Sequence, residues 1–146
     1  MRVRHVPDRV KGCGPLGGLD AALASAREEL VVVVACDMPF VTAGFLNYLA
    51  SLAGATGNAA PVDAVVPRTS DRYHPLCAVY ARACRSAIDA RLAARQLSMA
   101  GLLEGLRVRV VREHEMERFG RPGALLANVN TPDEFDELAA ATGHEP

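Results

Sequence analysis

LVVVVACDMPF, residues 30–40, is an unbroken apolar run that ends in a single carboxylate. Four consecutive valines cannot alternate between a dry and a wet face. The segment is therefore expected to be buried on both faces, as in the central strand of a parallel sheet with helices on each side. Leu30 to Ala35 is the predicted strand. Pro39 has no N–H for a further ladder bond, so the strand stops there and the chain turns out of the sheet. Asp37 then sits at the strand's carboxyl end, the rim on which open α/β sheets bind ligands, where an acid can hold a divalent cation beside phosphates. The competing reading is local: Asp37 caps the helix beginning near Thr42 or makes an Asx-turn. Thr42 is the better N-cap for the pattern Phe45, Leu46, Leu49, Leu52, which leaves the carboxylate without an obvious structural duty.

Upstream, residues 2–6 (RVRHV) alternate weakly and suggest a short edge strand before a turn at Pro7-Asp8. The glycine-rich loop Gly12-Cys13-Gly14-Pro15-Leu16-Gly17-Gly18 follows and leads into a helix carrying Leu19, Ala22, Leu23 and Ala26. Such a loop can bring backbone N–H groups close to a phosphate or a base. Its spacing fits neither GxGxxG nor GxxxxGK[ST], so a plain tight turn is the simpler account.

Downstream, the spacing predicts a helix over 42–53, a small-residue link over 54–61 and a strand over 62–66. A polar excursion follows at 68–75 (RTSDRYHP), then a strand over 76–80. Two strands around a polar connection suggest a protruding hairpin or flap. Its Arg68, Arg72, Tyr73 and His74 offer donors and a stacking face for an anionic, ring-bearing ligand, or simply form a solvated loop. Residues 81–106 read as two helices, the second capped by Ser98 and ended by Gly105. Residues 106–111 alternate as a strand nearer an edge. Residues 112–123 read as a surface loop or frayed helix. Its His114, Glu113, Glu115 and Glu117 can be drawn as a metal site, but a run of mixed charge is more commonly a solvated face. Residues 124–127 suggest a short apolar strand. Thr131, Pro132 and Glu134 then form a capping box that opens a terminal helix through Leu138. Asn128 and Asn130 stand at alternate positions just before it, either as turn formers or as groups that orient a substrate or a metal-bound water.

The 146 residues make one domain, half of them apolar. Sixteen basic and seventeen acidic residues leave a net charge of −1, which supports neither nucleic-acid binding nor an acidic tail. No apolar stretch is long enough to span a bilayer, no hydrophobic export signal opens the chain, and a cytoplasmic location is expected. The cysteines Cys13, Cys36, Cys77 and Cys84 contain no CxxC pair and read as thiols in a reducing compartment.

Together and in this order, GPLGG at 14–18, the strand-acid-Met-Pro segment at 31–39, RYHP at 72–75 and NVNTPDEF at 128–135 resemble the molybdenum cofactor guanylyltransferases. The resemblance runs from about Val3 to Leu138. It implies a Rossmann-like α/β/α sandwich with a mostly parallel sheet. It also implies transfer of GMP from GTP to a molybdopterin-type cofactor, with Mg²⁺ and release of pyrophosphate. By resemblance, Asp8 contacts the guanine nucleotide, Gly14, Pro15, Leu16 and Gly17 shape its pocket, and Asp37 binds nucleotide and Mg²⁺. Asn128 and Asn130 fall near the reacting phosphate, and Arg72 and His74 on the pterin side. A cytidylyltransferase or sugar-phosphate enzyme of the same fold and a non-catalytic cofactor- or partner-binding remnant are the alternatives.

Members of that family begin with a strand and a glycine-rich loop of the form LAGGxSxRMGxDK, which cradles the triphosphate. No such stretch occurs in these 146 residues, and Lys11, the sole lysine, does not stand in one. The fold is thus expected to be N-terminally truncated, with the valine strand left with an unpaired apolar edge. Three situations fit: the chain is a piece of a longer protein, a protein partner supplies the strand, or the chain is a degenerate relative. The first is the leading expectation, and with it that this chain alone lacks guanylyltransferase activity.

Overall fold

The computed structural model describes residues 6–7, 12–54, 61–70 and 72–142. Its sheet is built from β1 (Leu30–Val34), β2 (Ala64–Thr69), β3 (Arg72–Tyr73), β4 (Cys77–Ala81) and β5 (Val108–Val111). The helices are α1 (Gly14–Ser25), α2 (Ala43–Ala53), α3 (Arg85–Ala93), α4 (Met99–Glu104), α5 (Glu113–Met116), α6 (Pro122–Leu125) and α7 (Pro132–Thr142). β4 lies between β1 and β2 and is antiparallel to both, with Leu30 opposite Ala81 and Val34 opposite Cys77. β5 pairs with β2 in parallel, Ala64 against Val108. Hence β1, β2 and β5 run one way and β4 runs against them. Most long strands share a direction, yet the β2–β5 ladder is the only parallel one among the described residues.

Helices cover both faces, as in an α/β/α sandwich. On one side Leu16, Leu19 and Leu23 of α1, Ile88 and Leu92 of α3 and Leu102 and Leu103 of α4 pack on Ala64, Val66, Ala78 and Tyr80. On the other, Phe45 and Leu49 of α2 meet Val65, Cys77, Val79 and Val111, joined by Met116, Leu125 and Leu126. Phe45 and Leu49 are fully buried, which contributes about 2–3 kcal/mol each.

The valine strand departs from expectation. Val31 and Val33 pack into the first cluster, but Val32 and Val34 are 43% and 40% exposed. β1 pairs with β4 alone, and no described strand lies on its other side. The β-branched run correctly marked a strand. Burial on both faces does not hold, because it needs neighbours on each side as well as above and below.

Three local readings also change. GPLGG is the first turn of α1, with Gly14 at φ +58 and Pro15 beside it, where the missing N–H costs no helical bond. The strand predicted at 62–66 begins and ends later, so β2 runs into the excursion and forms a short hairpin with β3. Residues 124–127 are not a strand: Pro122 starts α6, whose Leu125, with Leu126 just after it, anchors in the second cluster. Predicted caps hold, with Thr42 and Ser98 accepting from the N–H of Phe45 at 3.2 Å and of Gly101 at 3.1 Å.

Candidate functional site

β1 ends in a tight turn. The N–H of Ala35 donates to the Leu76 carbonyl at 2.8 Å, just before β4, and the N–H of Met38 turns back to the Ala35 carbonyl at 3.3 Å. Met38 is buried in the second cluster, which leaves Asp37 on the rim above it. Because Thr42 caps α2, the Asp37 carboxylate is not consumed by the helix start. Among the described residues it has neither a hydrogen-bond nor an ion-pair partner.

A cleft of about 270 Å³ opens at this rim. Asp37, Asn128, Arg72, Tyr73, His74 and Pro15 line it, and Leu76, Cys77 and Met99 give it an apolar surface. Asn128 arrives there through the backbone: the N–H of the next residue, Val129, donates to the Asp37 carbonyl at 2.6 Å. α7 fixes that segment in turn. The N–H of Glu134 donates to Thr131 Oγ1 at 3.2 Å, Glu134 Oε2 accepts from the N–H of Asn130 at 2.8 Å, and Phe135 stacks on Phe40 at 5.2 Å. This is a capping box whose carboxylate reaches one residue further back than usual.

His74 comes from the hairpin. Its N–H donates to the Pro67 carbonyl at 2.9 Å, and its Nε2 lies 2.6 Å from Thr69 Oγ1, so the ring orientation is set by the strand it faces. Burial, with Arg72 adding like-charge repulsion, lowers its pKa below the ordinary value and keeps the ring neutral at pH 7. Cys77 is no nucleophile here: burial pushes its thiol up to about 12.

The cleft therefore gathers Pro15, Asp37, Arg72, His74 and Asn128 from four separate regions of sequence. It does not gather all the predicted residues. Leu16 and Gly17 are buried on the inner face of α1, and Gly14 serves the helix start. Asn130 is exposed and does not line the cleft. Asp8 lies outside the described residues. The apolar lining from Leu76, Cys77 and Met99 and the supporting Thr69 were not predicted from the sequence. The predicted cap at Ser98 carried the signal for Met99, since it starts a helix at the rim; nothing local marked Thr69. The acidic run near His114 is no metal site: Glu115 binds Arg109 at 2.6 Å and Tyr48 at 2.9 Å instead, which holds its pKa at about 2.

Among the described residues no group of three His, Cys, Asp or Glu side chains can cage an ion. Magnesium does not need one. It is commonly held by one or two carboxylates, with waters and substrate phosphates completing its shell, and the unpartnered Asp37 beside Asn128 fits that demand.

A family model described as the MobA-like NTP transferase domain matches residues 1–117. A "Probable molybdenum cofactor guanylyltransferase" of Pelotomaculum thermopropionicum is 34% identical over 135 residues, covering 92% of this chain and 63% of that protein. The molybdenum cofactor guanylyltransferase of Desulfosudis oleivorans is 30% identical over 128 residues, covering 88% and 61%. Among solved structures, molybdopterin-guanine dinucleotide biosynthesis protein A from Archaeoglobus fulgidus superposes with a TM-score of 0.70 at 27% identity, covering 88% of this chain and 62% of that one. The chain thus spans a little under two thirds of the length of these relatives. The family match takes in most of the residues, and the relatives agree with it: the chain belongs to the MobA-like NTP transferase family.

Proposed function

We propose that the chain carries the acid, the asparagine and the acceptor side of a guanylyl-transfer site, in which GMP passes from GTP to molybdopterin. The observation that supports this most directly is the convergence of the unpartnered Asp37 with Asn128, Arg72 and His74 on one cleft. In the reaction a phosphate oxygen of the acceptor attacks the α-phosphorus of GTP, the bond to the β-phosphate oxygen breaks and pyrophosphate leaves. No covalent help from the protein is needed, so positioning and charge compensation are the main requirements. Asp37 would hold the cation, which when bound offsets negative charge on the phosphates. Asn128 would orient a phosphate oxygen or a bound water, Arg72 would counter the acceptor's charge, and neutral His74 would hydrogen-bond without adding charge.

The test has a binding arm and a transfer arm. Calorimetry should show Mg²⁺-dependent binding of molybdopterin or GTP that D37N weakens at least tenfold. For transfer, the chain alone is expected to release no pyrophosphate. The same chain fused behind a first strand and a glycine-rich loop of the form LAGGxSxRMGxDK is expected to form the dinucleotide, and its D37N variant is not. Absence of both binding and transfer in the fused protein would sink the proposal.

A further inference from the structure

A second pocket stands on the same rim, at the carboxyl ends of the parallel pair β2 and β5. It encloses about 250 Å³ and is lined by Arg68, Ser70, Arg112, Glu113 and His114. Arg68, near the end of β2, is half-buried, and its Nε is cut off from solvent with no hydrogen-bond partner among the described residues. A buried guanidinium N–H without an acceptor is costly, and Arg68 is the arginine so placed that also lines this pocket. The guanidinium is not loose: its carbon lies 5.1 Å from the centre of the Tyr73 ring, within cation–π range. Arg112 follows directly after β5 and brings a second guanidinium. One carboxylate, Glu113, opposes them, and its Oε1 already accepts from the N–H of Ser70 at 2.7 Å.

We propose that this pocket is an oxyanion site that takes a phosphate group between Arg68 and Arg112. Guanidinium forks match phosphate oxygens in pairs, and the pocket is large enough for a phosphate or pyrophosphate. The site is separate from the Asp37 cleft but shares a wall with it, because Tyr73 lines that cleft and stacks on Arg68. The phosphate can come from solution, as a free anion, or from a larger ligand that crosses Tyr73 from the cleft.

Calorimetric titration of the whole chain distinguishes these sources. Orthophosphate and pyrophosphate are titrated first, into the unmodified protein, R112Q, R68Q and D37N. Saturable binding weakened at least tenfold by R112Q and unchanged in D37N supports a free-anion site. If neither anion binds, Mg²⁺·GTP and molybdopterin are titrated, and at least fivefold weaker binding in R112Q supports a site for part of a larger ligand. Arg112 is exposed, so R112Q keeps the test valid even if R68Q disturbs the hairpin. Binding of no probe, binding of every probe unaffected by R112Q, or anion binding lost in D37N instead, overturns the proposal. The inorganic anions are read without catalysis, so failure of guanylyl transfer leaves that result standing.

Discussion

At the scale of single residues, Asp37 owes its availability to two others. Thr42 takes over the capping duty, and the Val129 N–H occupies the Asp37 carbonyl rather than its carboxylate. D37N should therefore leave stability within about 0.5 kcal/mol of the parent, as for a surface change without partners, while weakening Mg²⁺-dependent ligand binding. Thermal melts beside calorimetry check the pair, and a large fall in melting temperature would mean that the carboxylate has a structural role. His74 makes the opposite kind of prediction. Its pKa in the folded chain is below the unfolded value, so the fold favours the neutral ring. That contribution is complete above about pH 6.5 and is lost as pH falls through the folded pKa. Melts from pH 8 to pH 5 should show the parent losing more stability than H74Q, whose side chain does not titrate. Parallel curves would contradict it.

At the scale of elements, the Glu115 triad explains why a mixed-charge segment stays attached to the sheet. Arg109 of β5 and Tyr48 of α2 both donate to Glu115 of α5, and Met116 beside them is fully buried. Arg109 also donates to the Val110 carbonyl. R109M should cost about 1–2 kcal/mol in denaturant unfolding, since Glu115 is mostly shielded and would keep fewer partners, although Arg109 itself is partly exposed. Glu115 is held down to about 2, chiefly by Arg109, so its stabilisation is present above its unfolded pKa and fades as pH falls from about 4.5 toward 2. R109M should flatten that acid limb. At the other end of the cleft, T131A removes the acceptor for the Glu134 N–H and should cost about 1 kcal/mol. Caps were legible because the donor, acceptor and spacing all lie within four residues. The segment 124–127 was misread because four apolar residues have no period long enough to separate strand from helix.

At the scale of the whole molecule, the exposed valines matter most. Val32 and Val34 lie on a strand with one paired edge among the described residues, and an apolar, uncharged edge is a template for further strand pairing. The chain should associate with rising concentration in light scattering coupled to size exclusion. V32K should reduce that association with little change in melting temperature, since position 32 is already wet and a lysine stem can lie along the surface. Unchanged association in V32K would show that another surface is responsible.

From its own residues the chain determined a β-branched strand with an acid at its exit, the capped helices after it and the asparagine turn before the last one, because each depends on neighbours in sequence. Which strands pair was decided only by the tertiary structure: β4 inserts between β1 and β2, and so carries the hairpin to the rim where His74 and Arg72 meet Asp37. The same folding chose Asn128 over Asn130 for the cleft and left Val32 and Val34 wet. Such outcomes rest on contacts between segments dozens of residues apart, which no local period or spacing encodes.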